Sequence, residues 1–478
     1  MRILAGETVN KTGENVLLKG WVAARRDHGK LIFIDLRDAS GVVQVVFAPP
    51  ALLPSKISGE TRPGNMELFE AASRLRPEWV IELEGTVKER PKGMINDELE
   101  TGKIEIEATR LAILNESKTP PFPIEGDGYD IGEEHRLMWR YLDLRRARLQ
   151  NNLRLRHKII LFLRNYLSDR GFAEIETPVL TKGTPEGARE FVVPSRLYPG
   201  NFYVLPQSPQ QFKQLLMVAG FEKYFQIARV FRDEDQRGDR QPEFTQLDME
   251  MSFVSEDEVL RLAEDMLAAL VKELFPDKKI AFSPWPRLTY REAMEKYGSD
   301  KPDLRNNQKD SNELAFCHIV DFPMFEKTDD GTIQATHHPF TSPLPEDVNN
   351  LETDPMSVRA ASYDIVLNGF EISSGSIRVH KRELQNKIFK ILGLSDDEIQ
   401  KRFGHMLEAF EYGAPPHGGF APGIDRLCMI LAGEPNISEV IAFPKTGTAR
   451  DLMMGSPSEI PKKQLEELGI ERTHSEFL

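Results

Sequence analysis

Between residues 115 and 130 the chain reads NESKTPPFPIEGDGYD, a proline-, glycine- and acid-rich run with no apolar period, and it separates two stretches of different character. Upstream, the apolar runs VLLKGWVAA, LIFIDL and VVQVVF are broken by Arg-Asp-His-Gly and Asp-Ala-Ser-Gly, the pattern of strands joined by tight turns. WVIELEGTVKER and GKIEIEATRLAIL continue it, with a helix-like NMELFEAASRL before them. Downstream, Leu149, Leu153, Ile160, Leu163 and Leu167 recur at helical spacing, and the run stops at Asp169-Arg170-Gly171, where glycine can close a helix.

Five short strands with one helix predict a small OB-type barrel over residues 1–114, an architecture that commonly takes single-stranded nucleic acid. Residues 115–134 form the expected linker. Over residues 135–478 the strand-like segments FYVLP, YFQIARVFR, FTQLDMEMSFV and YDIVLNGFEI come in runs rather than in βαβ order. They predict an α+β domain with an antiparallel sheet flanked by helices. At 478 residues the chain is too long for one core, which suits this division.

A formal charge of −14 argues by itself against a nucleic-acid partner, but the charge is uneven. Arg136, Arg140, Arg145, Arg146, Arg148, Arg154, Arg156 and Lys158 are accompanied by Asp143 alone, a local field suited to phosphate, to a solvated helix or to a salt-bridged surface between subunits. Cys317 and Cys428 stand far apart without metal-ligand spacing, and two reduced thiols are expected. No leader-like start and no run of ~18 apolar residues is present, so a cytosolic protein without membrane contact is expected. Neither a dinucleotide-binding glycine motif nor a P-loop occurs.

Three constellations carry possible chemistry. FRDEDQRGDRQPEFTQLDME, residues 231–250, places an arginine after an apolar strand, then acids, then Phe244; salt bridging on a surface hairpin competes with a nucleotide site. GGFAPGIDR, residues 418–426, opens a helical segment, and its glycines and arginine suit a polyphosphate as well as they suit a plain turn. DIVLNGFEISSGSIR, residues 364–378, sets Asp364 and Glu371 on one expected strand, where they could share magnesium.

Together with GFAEIETPVL around Pro178, these segments resemble the three motifs of class II aminoacyl-tRNA synthetases. QSPQQFKQLLM, HHPF at His337, SGSIRVH and DLMMGSPSE resemble aspartate–tRNA ligases of bacterial type, over almost the whole chain. The resemblance implies ATP-dependent activation of L-aspartate and its transfer to tRNA. Arg232 would hold the substrate carboxylate and the α-phosphate, Arg426 the γ-phosphate, and Phe244 the adenine. Asp233, Glu234, Gln241, Glu371, Gly423, Ile424 and Asp425 would complete the ATP site, with Asp364 and Glu371 on Mg2+. Aspartate would be selected by Lys213 and Arg378, with Glu186, Ser208, Gln210, Asp233 and His337 around them.

For the barrel the resemblance implies an anticodon reader built from Arg26, Phe33, Gln44 and Glu105. The alternation in LIFID turns Phe33 away from Ile32 and Ile34, as a stacking platform requires, although a core place for Phe33 is the plainer alternative. His28 and Gly93 resemble the forms that charge both tRNA-Asp and tRNA-Asn. The segment around residues 171–178 implies a homodimer. Two departures stand out: the long insertion before motif 3 is nearly absent around residues 303–316, and Ser373 and Ser374 replace glycines. An asparagine or lysine ligase, or an inactive tRNA-binding paralog, are the rival readings; Lys213 with Arg378 opposes the first two, and Arg232, Glu371 and Arg426 oppose the last.

Overall fold

The computed structural model describes residues 1–49, 64–183, 188–236, 238–328 and 330–471. The chain divides into two compact units, residues 1–131 with 145–147, and residues 132–144 with 148–478. Among the described residues no helix is long and apolar enough to cross a membrane.

The first unit is the expected barrel. Strands β1 (Asn15–His28), β2 (Leu31–Asp38), β3 (Gly41–Phe47), β4 (Val80–Glu89) and β5 (Ile104–Asn115) close in the order β1-β2-β3-β5-β4, with helix α1 (Gly64–Arg74) between the third and fourth. Strict alternation in β2 buries Ile32, Ile34 and Leu36 and turns Leu31, Phe33, Asp35 and Arg37 outward. Val16, Leu18, Val22, Val43, Val45, Ile81, Leu83 and Ile106 fill the interior from the other strands. Each such side chain contributes roughly 1.5–3 kcal/mol of burial, and ring closure removes the open sheet edge that would invite aggregation.

After two short helices, Glu133–Met138 and Arg140–Asp143, helix α2 (Ala147–Ser168) is the first long element of the second unit. It buries Leu149, Asn152, Ile159, Leu163 and Leu167, so Ile159 rather than Ile160, and Asn152 rather than Leu153, face the core; the expected pair lies on the half-buried flank. Gly171 takes φ +79° just past its end. Strand β6 (Ala173–Glu174), helix α3 (Gln210–Val218), strands β7 (Lys223–Phe231) and β8 (Glu243–Ser252) and helix α4 (Glu256–Leu274) follow. Then come β9 (Arg287–Thr289), β10 (Phe316–Val320), β11 (Ser362–Leu367), β12 (Phe370–Ile377), β13 (His417–Pro422) and helix α5 (Ile424–Ala432). These strands form one sheet in the order β9-β10-β11-β12-β13-β8-β7-β6, parallel only at its two edges. Ile159 and Leu163 of α2, Val259 and Leu267 of α4 and Leu427 of α5 share one core cluster with Phe225, Leu247 and Ile365 of the sheet.

Three expectations need correction. Asp364 and Glu371 do not share a strand; they sit on β11 and β12, which Asn368 and Gly369 join in a tight turn with positive φ at both residues. GGFAP is a central strand, and Gly419 is needed there because an added Cβ would lie 2.0 Å from the Met249 carbonyl oxygen. Within the chain, six of the eight basic side chains of this run turn to acids or carbonyls, so the run is not an open field for phosphate; Arg154 and Lys158 remain exposed. Arg136 and Arg148 bind Glu439 at 2.7 and 2.8 Å, Arg148 also reaches Glu434, and Arg140 reaches Asp143 at 2.8 Å. Arg145 bonds Glu78, Arg146 donates to the carbonyls of Pro123 and Glu125, and Arg156 pairs with Asp425. Cys317 and Cys428 are both free and buried.

Candidate active site and barrel surface

A cleft of about 840 Å³ lies over β8, β12 and β13 and the start of α5, and it gathers most of the expected site residues. At one end are two cations. Lys213, from α3, lies 3.0 Å from Asp248 and 3.3 Å from Glu250; Arg378, just beyond β12, lies 3.0 Å from Glu250. The Lys213 and Arg378 side chains are only 2% exposed and the two acids are fully buried. Arg378 also donates to His338 Nε2 at 2.8 Å and to Ser376 Oγ at 2.6 Å, while the three-donor ammonium of Lys213 has one hydrogen beyond its two acids. Burial pushes the Asp248 carboxyl up despite Lys213; burial acts the same way on Glu250, but Arg378 and Lys213 together hold it below the ordinary value. Burial and Arg378 keep His338 neutral.

Sequence reasoning missed Asp248, Glu250 and His338. Asp248 and Glu250 are in phase on β8, which was a usable signal; His338 stands beside His337. Ser208 and Gln210 line the same end, Gln210 donating to Gln214 at 3.2 Å. Glu186 lies outside the described residues. Asp233 does not line the cleft: its backbone bridges Arg189, whose guanidinium lies 4.0 Å from its carboxylate.

The other end is set by β7, β8 and α5. The Arg232 guanidinium lies 5.1 Å over the Phe244 ring, a cation–π contact that positions both on the cleft wall. Glu234 pairs with Arg240 at 3.1 Å, and Gln241 is clasped in both directions by the backbone of Lys445. Arg426 reaches Asp239 at 2.9 Å and donates to the Glu371 carbonyl. Gly423 donates to Ile372 O at 2.8 Å. Ile424 belongs to the apolar core, so only its backbone can serve a ligand. Both oxygens of the buried Asp425 carboxylate are engaged, one by the Thr245 N–H at 2.8 Å and the other by Arg156. Asp425 is therefore a brace for the site rather than a free ligand group.

Between the two ends lie the acids. His337 Nε2 is 3.6 Å from Asp364, whose Oδ1 is buried without a hydrogen-bond partner among the described residues. Burial, then the nearby Glu371, push the Asp364 carboxyl up; at Glu371 burial is outweighed by Lys301 at 2.8 Å and by Arg426, and its pKa is lowered. A buried acid with an orphaned oxygen beside a second acid suits a hard cation completed by substrate oxygens and water. Lys301 was not anticipated.

On the barrel, the expected readers form one chain of contacts. Arg26 grips Asp35 at 2.6 and 2.7 Å and reaches Gln44 at 3.5 Å, and Gln44 donates to Glu105 at 2.9 Å. Arg26 pairs directly with Phe33 across the β1–β2 ladder, and His28 meets Phe33 edge-on at 6.0 Å. Asp35 is a member that sequence reasoning missed. Gly93 has φ +95°, so a side chain there is strained whatever the space.

Comparison with known proteins bears on both units. The family model for class II tRNA synthetases (D, K and N) matches residues 132–447, and that for an OB-fold nucleic acid binding domain matches residues 16–114. An aspartate–tRNA(Asp/Asn) ligase of Rubrobacter xylanophilus is 44% identical, the match covering 98% of this chain and 96% of that protein. One from Dehalococcoides mccartyi is 41% identical, with 97% of each covered, and an aspartate–tRNA ligase of Oceanobacillus iheyensis is 42% identical, with 98% of each covered. The Rubrobacter alignment spans 591 positions against 478 residues here, so that relative carries sequence this chain lacks. Among solved structures, asparaginyl-tRNA synthetase of Pyrococcus horikoshii with asparaginyl-adenylate superposes with TM-score 0.73 at 22% identity, covering 93% of this chain and 98% of that one. A putative aspartyl-tRNA synthetase of Leishmania major Friedlin gives 0.74 at 22%, covering 93% of each. These two share the fold.

Proposed function

The chain belongs to the class II tRNA synthetases of the D, K and N group, and we propose that within it the protein is an aspartate–tRNA ligase serving both tRNA-Asp and tRNA-Asn. The observation that carries the amino acid is the buried pair Lys213 and Arg378 in the wall of the cleft. A side-chain carboxylate takes the remaining Lys213 donor, while Arg378, whose five N–H groups are held by Glu250, His338, Ser376 and Gly419, supplies positive charge beside it. A neutral amide offers one acceptor in place of two and turns its own donors toward cations, which leaves charged groups unpaired in a confined site.

In this reading Arg232 binds the aspartate α-carboxylate and the α-phosphate, with Phe244 under the adenine and Arg426 on the γ-phosphate. Ser208, Gln210 and His337 frame the amino acid, while Glu234, Gln241 and the Gly423 backbone frame the nucleotide. The α-carboxylate oxygen attacks the α-phosphorus, the bond to the bridging oxygen breaks, and pyrophosphate leaves. The terminal ribose hydroxyl of tRNA then takes the aspartyl group and AMP leaves. No side-chain nucleophile is required; the residues align two anions and neutralise charge in a water-poor cleft. Asp364 and Glu371 would hold Mg2+, which supplies charge neutralisation of the polyphosphate when bound.

Phe33, with Arg26, Gln44 and Glu105 beside it, forms the surface proposed to stack and read anticodon bases. Relaxed choice between the two tRNAs rests on the names of the relatives and on His28, which packs against the proposed platform. Gly93 is required by its own backbone as well, so it weighs less in that choice. The same reading carries with it a cytosolic homodimer joined through residues 171–178. Charging of separate tRNA-Asp and tRNA-Asn transcripts with labelled aspartate and asparagine tests it: aspartate on both is expected, and asparagine on either would overturn the amino acid assignment.

A further inference from the structure

Lys301 has no part in the steps above, yet its ammonium sits 2.8 Å from Glu371 Oε2 in the wall of the cleft. It comes from residues 299–305, between the helix Tyr290–Tyr297 and the strand Glu313–Leu314. That backbone is folded into local turns: Lys301 N donates to Ser299 Oγ at 3.0 Å, and Arg305 clasps Asp303 at 2.7 Å. Gly369, at the tip of the β11–β12 turn, packs against the same segment, where an added Cβ would stand 3.4 Å from Asp303 Cβ. The end of the Lys301 side chain is different, 37% exposed on a four-carbon stem that can swing while its root stays fixed.

The second observation is the acid pair itself. Asp364 is buried with one oxygen lacking a hydrogen-bond partner among the described residues, and His337 Nε2 stands 3.6 Å from that oxygen. Lys301 is thus the primary amine paired with this acid cluster. A magnesium ion binds carboxylate oxygen at about 2.0–2.1 Å within a demanding octahedral shell. An ammonium hydrogen-bonded to that carboxylate would face a divalent charge a few ångströms away, and this repulsion sets the two in competition for Glu371.

We infer that Lys301 and a divalent cation are alternative occupants of Glu371, the ammonium holding the acid pair until a polyphosphate arrives to accept it and the metal takes its place. The inference rests on Asp364 and Glu371 being the metal's protein ligands. It makes the free metal a poor ligand of the empty enzyme and couples its entry to that of ATP. Lys301 then acts twice, first as a competitor for the metal and afterwards as a contact to the leaving pyrophosphate.

The test is direct binding of Mn2+, followed by electron paramagnetic resonance, to the full-length protein without nucleotide and with the β,γ-methylene analogue of ATP. Lys301→Met keeps the stem and removes the charge. It is expected to tighten Mn2+ binding without nucleotide by about fivefold, the scale of a half-exposed ion pair, and to lose that advantage once the analogue is present. Equal Mn2+ affinity in the two proteins without nucleotide, with Glu371→Gln still abolishing binding, overturns this inference alone. Mn2+ binding that survives Glu371→Gln overturns the metal assignment and this inference with it.

Discussion

Asp425 accepts the backbone N–H of Thr245 at 2.8 Å, and through that bond the start of α5 is held in register with β8. Thr245 follows Phe244 and Asp425 precedes Arg426, so one carboxylate spaces the proposed adenine platform from the proposed γ-phosphate contact. Arg156, from α2, neutralises its other oxygen. Asp425→Ala leaves Arg156 partly buried and without that partner. We expect a loss of about 3–5 kcal/mol in denaturant unfolding, and, in whatever protein remains folded, a KM for ATP raised more than the KM for aspartate in pyrophosphate exchange.

Lys213→Met removes one of the two cations at the amino acid end and leaves Asp248 with an unbalanced charge. Aspartate-dependent pyrophosphate exchange should fall by about ten-thousandfold, the scale on which a site rejects a ligand whose polar partner is missing. Binding of ATP alone, measured by calorimetry, should change little. Equal loss of ATP binding would place Lys213 in general support of the fold.

Phe33→Ala should raise the KM for tRNA by roughly five- to a hundredfold, corresponding to about 1–3 kcal/mol per stacked base. Pyrophosphate exchange without tRNA should be unchanged, because the substitution lies on the barrel. A change in that tRNA-free reaction would count against Phe33 as an anticodon platform.

Glu439 sets a pH dependence. Burial tends to raise its pKa, but Arg136 and Arg148 outweigh burial and lower it. A carboxyl whose folded pKa lies below its unfolded value contributes stability above the unfolded pKa, about 4.3 for glutamate, and loses it as pH falls through the folded value. Thermal melts should therefore show Tm falling below about pH 5, with a shallower fall in Glu439→Gln, which is also less stable at pH 7.

Both thiols should resist modification. Burial pushes Cys317 and Cys428 up to about 12. At pH 8 the native protein should react with Ellman's reagent at neither site, and both should react after unfolding in guanidinium.

What the sequence reveals follows the range of each interaction. The alternation of Ile32, Ile34 and Leu36 is a local property, and it placed the barrel interior and Phe33 correctly. The face of α2 was read one residue off at Ile160, because neighbouring helix positions differ by about 100° and both are apolar. The Asn368-Gly369 pair is a local turn signal, and it is this turn that sets Asp364 and Glu371 on separate strands. The fate of the basic run was not legible, since Glu434 and Glu439 lie close to 300 positions away. For the same reason the place of Lys301 over Glu371 had no local sign.

The buried arginine cluster also sets an order of events during synthesis. Barrel contacts such as Asn15 with Thr86 and Gln44 with Glu105 join positions 71 and 61 apart, so that unit can close while most of the chain is unmade. Arg136 must wait for Glu439, 303 positions later. At roughly 5–20 residues per second that interval is about 15–60 s, during which a strongly basic stretch is without its acidic partner. A nascent chain stalled in that interval presents a finished barrel followed by an open, cationic segment, the state in which this protein is most exposed to capture by the polyanions around a ribosome.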